Sequence, residues 1–373
     1  MRRARIALLS LILLAVGAGP ARASGAVTWI VKGGGFGHGV GMSAYGAYGY
    51  GLNGAGYRQI LRHYYKGIGI GEAKGAPQVR VLLTVNPGGV SFSHATAACG
   101  QMLDPSRRYV ARRHGASIRL SSGSGKPVAR CGARLHADSG GTIRIDGVGV
   151  YRGALELVPT ESAAGSLNVI NKLNVNNYAR GSVPGEVPPE WPAATLKAFA
   201  VACRSIALST DVGGNGFELY ADTRTQVYGG VKLEDARTDR AVRATQSQVA
   251  TYGGAVAQTT YFSSSGGRTE SGFLGAPDVP YLQSVDDPYD YYSPLHEWTF
   301  RFSQAEMSSR LAPYVDGALR GIRVTQRGDS PRIDYAKLIG TGGTSTIRGD
   351  ALASALGLYD RWAYFRKVRS GRG

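Results

Sequence analysis

Hydrophobic and polar positions change period several times along this chain, and each change marks a different kind of element. An apolar run from Ile6 to Val16 follows Arg2, Arg3 and Arg5 and precedes Ala21, Arg22 and Ala23. Basic, apolar and small residues in that order make a cleavable export signal, so residues 1–23 are expected to be removed and the protein to be secreted. The run is too short for a permanent anchor, and no later stretch is apolar and long enough to span a bilayer, so stable membrane insertion is not expected. Val27 to Val31 reads as a short strand, and Tyr57 to Tyr65 has helical spacing. From Pro77 to about Val158 the pattern turns to short alternating runs split by turn residues. Val79 to Val85, Ser117 to Leu120, Thr142 to Asp146 and Ala154 to Val158 are all strand-like.

A different pattern follows. Pro184, Pro188, Pro189 and Pro192 surround Glu186, which predicts a stiff, non-helical platform for that carboxylate. A helix is expected from about Ala193 to Ser209, with Leu196, Phe199, Ala200, Cys203, Ile206 and Ala207 as its apolar stripe. Lys197 and Arg204 lie seven residues apart, on a second face of that helix. Leu233 to Thr245 suggests another helix. Gln248 to Tyr252 and Ala257 to Phe262 read as a hairpin turning at Gly253-Gly254. The last part combines a helix near Ser303 to Leu311 with strands. Helices and mostly local strands that do not alternate regularly make an α+β fold, with a β-rich insertion.

Charge narrows the partners. The chain has 43 Lys and Arg against 26 Asp and Glu, a formal charge of +17. Export argues against nucleic acid, and a field of one sign suits anionic wall polymers or membrane surfaces. Scattered arginine for solubility is the bland alternative, since only the tail from Arg361 to Arg372 is clustered. Cys99 and Cys131 lie in the β-patterned stretch and are expected to pair in an oxidising compartment. Cys203 falls on the apolar helix stripe, as a buried free thiol would. No Cys-x-x-Cys spacing exists, and neither a metal nor a cofactor is expected.

Several residues have two readings each. Glu186 is either a carboxylate decorating a helix terminus or a held acid. His38, in Gly33-Gly-Gly-Phe-Gly-His-Gly39, either contacts substrate or orders the glycine loop; the loop lacks the Gly-Lys-Ser/Thr ending of a phosphate loop. Asp286, Asp287, Asp290, His296 and Glu297 form a cluster that either binds a cation or stabilises a turn, and the spacing favours the turn.

Four blocks carry a resemblance to a known family. Tyr178, Gly181, Val183, Pro184, Glu186, Pro188, Trp191, Pro192, Leu196, Lys197, Ala198, Ala200, Val201, Ala202, Arg204 and Ala207 follow the signature of the sporulation stage II protein D / amidase enhancer (SpoIID/LytB) family. Val187, Phe199, Cys203 and Ser205 depart from it. Gln226 to Gly230, and Tyr261-Phe-Ser-Ser-Ser-Gly-Gly-Arg-Thr-Glu270, resemble two further family elements. So does Gly35-Phe-Gly-His-Gly-Val-Gly-Met-Ser-Ala-Tyr-Gly-Ala47, with Ala44 where glutamine is usual. In many relatives that last block closes the chain; here it opens it, which suggests a circular permutation. The resemblance implies residues 24–76 packing on a core, a β-rich subdomain over 77–158, a SpoIID/LytB-like catalytic core over 159–299 and a C-terminal α/β segment over 300–373.

The resemblance also implies an activity at the cell wall. Glu186 would be the general acid of a lytic transglycosylase that cleaves peptidoglycan glycan strands, stripped of stem peptides, to 1,6-anhydromuramyl ends. Tyr261 would stand across the groove as a second catalytic group. Lys197, Arg204, Gln226, Tyr228, Ser263, Ser264, Ser265, Gly266, Gly267, Thr269 and His38 would bind substrate. A cell-wall amidase is the implied protein partner, and the alternative is a non-catalytic peptidoglycan-binding enhancer of an N-acetylmuramoyl-L-alanine amidase. Trp191 and Val187 would give Glu186 an apolar setting that raises its pKa, while nearby cations would lower it.

Overall fold

The computed structural model describes residues 27–75, 77–160 and 165–369. The signal expected over 1–23 lies outside the described residues. Elements of both kinds are present, with a large mixed sheet, so the fold is α+β.

Leu167–Asn174 is the strand on which the sheet turns from outer β layer to helical layer. Leu167, Val169, Ile170 and Leu173 are all buried. It pairs antiparallel with Gln78–Asn86 on one side and Ala154–Pro159 on the other. The sheet continues through Leu135–Ile145, Val90–Ala98, Tyr109–His114, Ser117–Ser122 and Pro127–Cys131. Cys99 and Cys131 form a disulfide that closes the outer strands. One hydrophobic core runs from Phe92, Ile118 and Leu120 in those strands through Leu155 and Val169 to Tyr178, Phe199 and Val201 on the helices.

Five helices cover the inner part: α1 (Ala44–Leu52), α2 (Tyr57–Tyr64), α3 (Val175–Glu186), α4 (Ala193–Ser209) and α5 (Ala236–Ala244). The Asn174 side chain starts α3 by accepting from the Asn176 and Asn177 N–H groups. This helix corrects the expected non-helical platform. Pro184 lies inside α3 and Glu186 is its last residue. A proline so near the end forfeits one backbone bond while the turn still closes, because the Val187 N–H bonds the Val183 carbonyl. Helix α4 keeps the expected bounds but is buried on nearly every side, with Thr195 to Ala207 enclosed except Lys197. The expected hairpin is also different. Gly253-Gly254 does turn Gln248–Tyr252 onto Ala255–Val256, but Tyr261–Phe262 leaves to pair parallel with Met42–Ser43.

The N-terminal segment divides between two cores. Val27–Gly34 is the centre of a three-stranded sheet between Glu297–Ser303 and Ala363–Arg369. Trp29 and Val31 there join Phe302, Met307 and Leu338 in a second core with α6 (Gln304–Leu311) and α7 (Gly349–Leu356). Ser303 and Glu306 form a capping box that starts α6. Val27 pairs with Arg369, so the first and last described strands lie side by side. Between the cores passes the glycine segment, where Gly39 has φ +86 and lies against the buried Arg332 side chain, which leaves no room for a Cβ.

Candidate active site

Glu186 projects from the end of α3 into a cleft of about 390 Å³ lined by His38, Ile206, Thr223, Gln258, Tyr261 and Phe262, among others. The Val227 N–H donates to Glu186 Oε1 at 2.6 Å. Burial raises the pKa of this carboxyl; the Val227 N–H and the Tyr261 hydroxyl beside it oppose the rise without cancelling it. Neither expected cation contributes. Trp191 is not in the cleft either: its ring packs at 4.8 Å from Tyr48 and 5.2 Å from Tyr45. The apolar surroundings come from Ile206 and Phe262 instead.

Tyr261 reaches the cleft because its short strand pairs with Met42–Ser43, which anchors it to the glycine segment. Its hydroxyl accepts from Gln226 Nε2 at 2.7 Å, and Gln226 Oε1 accepts from the Tyr178 hydroxyl at 3.2 Å. This relay leaves the Tyr261 proton for Glu186. Burial and the Glu186 charge hold the Tyr261 pKa well above its ordinary value, so it stays neutral. Phe199 packs edge-on against the same ring at 5.0 Å. The family's departure at Phe199 thus supports Tyr261 rather than removing a contact.

His38 uses both ring nitrogens on backbone. Nδ1 accepts from the Val40 N–H at 3.1 Å, so Nε2 carries the proton it gives to the Tyr261 carbonyl at 3.0 Å. The side chain is exposed to the cleft while both ring nitrogens are committed to backbone, and desolvation pushes its pKa down to about 4. Of its two readings, the structure shows loop ordering.

Other expected contacts are placed elsewhere. Arg204 is fully buried: its guanidinium donates to the carbonyls of Ala200, Val242 and Gln248, to Thr245 Oγ1 and to Asn176 Oδ1. It clamps α3, α4 and α5, and a glycan does not reach it. Lys197 lies in a separate groove between α4 and α5 with Trp191, Arg237 and Arg240. Gln226 and Tyr228 are buried; Tyr228 donates to Asn171 Oδ1 at 2.7 Å and stacks on Tyr178. Both hold the site's frame and are withdrawn from any ligand.

The serine-glycine turn is likewise turned inward. Ser264 Oγ bonds Asp290, and Ser265 Oγ bonds Asp287, each at 2.8 Å. Ser264, Ser265 and Thr269 are buried, with Thr269 Oγ1 accepting from the Val285 N–H. Gly266 lies against Gly34, where a Cβ would meet backbone at 2.9 Å, and the Gly267 N–H donates to Ser265 Oγ. Ser263, half-buried, accepts the Tyr45 N–H on its carbonyl. The aspartates of the acidic cluster stabilise this turn, and no group of three metal-ligating side chains occurs among the described residues. Thr210, Thr223, Arg224, Thr225, Gln258 and Thr260 line the cleft without having been expected. For Thr223, Arg224 and Thr225 the one signal was the polar run Asp222 to Thr225 directly before Gln226.

Comparison with known proteins agrees with the motifs. The SpoIID family model, described as "Stage II sporulation protein", matches residues 163–252, which include the strand Leu167–Asn174, α3, α4, α5 and the strand Gln248–Tyr252. An uncharacterized protein of Brachyspira hyodysenteriae is 33% identical over 169 residues, 44% of this chain and 45% of that protein. "Stage II sporulation protein D" of Bacillus subtilis is 28% identical over 207 residues, 51% of this chain and 59% of that protein. "Amidase enhancer" of Bacillus subtilis is 33% identical over 132 residues, 35% of this chain but 18% of that protein. The matches thus span less than two thirds of each of these relatives. On its motifs, the matched segment and these relatives, the chain resembles the SpoIID/LytB family and carries a SpoIID segment over residues 163–252.

Proposed function

We propose that this protein is an exported cell-wall enzyme, a lytic transglycosylase that cleaves peptidoglycan glycan strands through Glu186. One observation carries the reading: Glu186, with its pKa raised by burial, is the single carboxylate among the residues lining the cleft. Hydrolysis by ordinary glycosidases uses two carboxyl groups, one acting on the leaving oxygen and one on water or the anomeric carbon. A transglycosylase needs only one. Protonated Glu186 gives its proton to the oxygen between N-acetylmuramate and N-acetylglucosamine as the bond to the anomeric carbon breaks. The muramyl C6 oxygen bonds that carbon and its proton passes to the Glu186 carboxylate, so the acid is restored and no water is consumed. Tyr261, neutral and held by Gln226, places a hydroxyl beside the same carboxyl.

A test is the release of soluble fragments from stem-peptide-stripped strands by wild type and Glu186→Gln. The proposal expects loss of release by at least about 10²-fold in the variant, with binding retained. Equal release by both proteins would overturn it. A second reading has its own support: the short bond from the Val227 N–H favours ionised Glu186, as a structural carboxylate would. On that reading the protein binds peptidoglycan and stimulates an N-acetylmuramoyl-L-alanine amidase, in keeping with the name of one relative. Strand binding without cleavage, together with faster release of stem peptides by an added amidase, would establish it.

A further inference from the structure

A second cleft, about 470 Å³, lies where the glycine segment meets the C-terminal sheet, lined by Lys32, His296, Glu297, Thr299, Trp362 and Tyr364. The chemistry proposed for Glu186 does not use it, and none of these side chains lines the Glu186 cleft.

Its distinctive feature is a histidine fixed from behind. Asp290 is fully buried. Its Oδ1 accepts from Ser43 Oγ at 2.9 Å and the Ser265 N–H at 2.7 Å. Its Oδ2 accepts from Ser264 Oγ and the Gly266 N–H, each at 2.8 Å, and from His296 Nδ1 at 3.0 Å. A carboxylate so completely occupied cannot move, and it sets the ring orientation and places a proton on Nδ1. His296 Nε2 has no protein partner among the described residues, and its side chain is 30% exposed. A pre-oriented nitrogen facing open space is a hydrogen-bonding site waiting for a ligand.

The rest of the lining restricts what that ligand is. Lys32 and Glu297 offer opposite charges, so the cleft selects neither anions nor cations. Trp362 is half-buried and Tyr364 is 50% exposed, which supplies aromatic surface for an apolar ring face. Covalent catalysis is disfavoured: Ser43 and Ser264 bond Asp290 and not His296, so no nucleophile is aligned with the ring. We infer that this cleft is a second saccharide site, which takes a neutral N-acetylhexosamine unit with one hydroxyl on His296 Nε2 and its apolar face on the Trp362 and Tyr364 rings. The inference does not depend on Glu186 being catalytic.

Two histidines make the test internal. In the Glu186→Gln chain, His296 reports on this cleft and His38 on the other during titration with the N-acetylglucosamine tetramer, read by side-chain nitrogen NMR. A saturable shift of the His296 signal is expected. Tyr364→Ala, at an exposed position, should weaken that response about tenfold and leave the His38 response unchanged. A shift at His38 with none at His296, or no shift at either, would overturn the second site. So would a His296 response indifferent to Tyr364→Ala.

Discussion

An acid that must protonate a glycosidic oxygen near neutral pH needs a pKa close to that pH, and burial is what moves Glu186 in that direction. The sign of the pH dependence follows. In the proposed mechanism the protonated form is the active one, so turnover should fall as pH rises through the raised pKa. The Tyr261 hydroxyl favours the charged form, so Tyr261→Phe should move this basic limb to higher pH while lowering kcat by about 10–100-fold. A pH–rate profile with an unmoved limb would contradict the pairing. Gln226→Ala should act one step back: with the Tyr261 hydroxyl unheld, kcat should drop about tenfold and KM should change little, as steady-state kinetics would show. Glu186 and Tyr261, which dense motifs surround, do line one cleft. Gln226, Arg204 and the serines stand in equally dense motifs, yet motif membership does not tell whether a polar side chain points outward or holds the frame. The count of buried acceptors around Arg204, and the two aspartates behind the serines, became visible only with the chain folded.

At the scale of elements, α4 shows how a pattern is read correctly in extent and wrongly in setting. Pro192 and Thr210 bound it as expected. Its second face, carrying Lys197 and Arg204, was expected to meet substrate, but α3 and α5 cover the half that holds Arg204. Arg204→Met should therefore cost about 2–4 kcal/mol in urea unfolding, because buried carbonyls and Asn176 lose their donor. Lys197→Ala, in a half-open groove, should stay within about 0.5 kcal/mol. Helix α3 was hidden by its prolines, since local stiffness does not reveal that a helix can end two residues beyond Pro184. The strand of Tyr261 was misassigned for a related reason: its partner, Met42–Ser43, lies more than two hundred residues away, beyond any local hairpin signal.

For the whole molecule, two cores meet at the serine-glycine turn, and Asp287 at that junction links stability to pH. Burial, then the charge of Asp290, pushes the Asp287 carboxyl up to about 7. A carboxyl whose folded pKa exceeds its unfolded value of 3.8 stabilises the fold below pH about 4. That contribution is lost as pH rises through about 7. Thermal unfolding from pH 4 to 8 should show this decline, and Asp287→Asn should flatten it. Reduction of Cys99–Cys131, which are 32 residues apart, should cost about 3–4 kcal/mol while leaving the Glu186 cleft in place. Stem-peptide-stripped strands, treated in water enriched in heavy oxygen and analysed by mass spectrometry, should carry unlabelled 1,6-anhydromuramyl ends with wild type and none with Glu186→Gln. Labelled reducing ends, or anhydro ends that persist in the variant, would contradict the account.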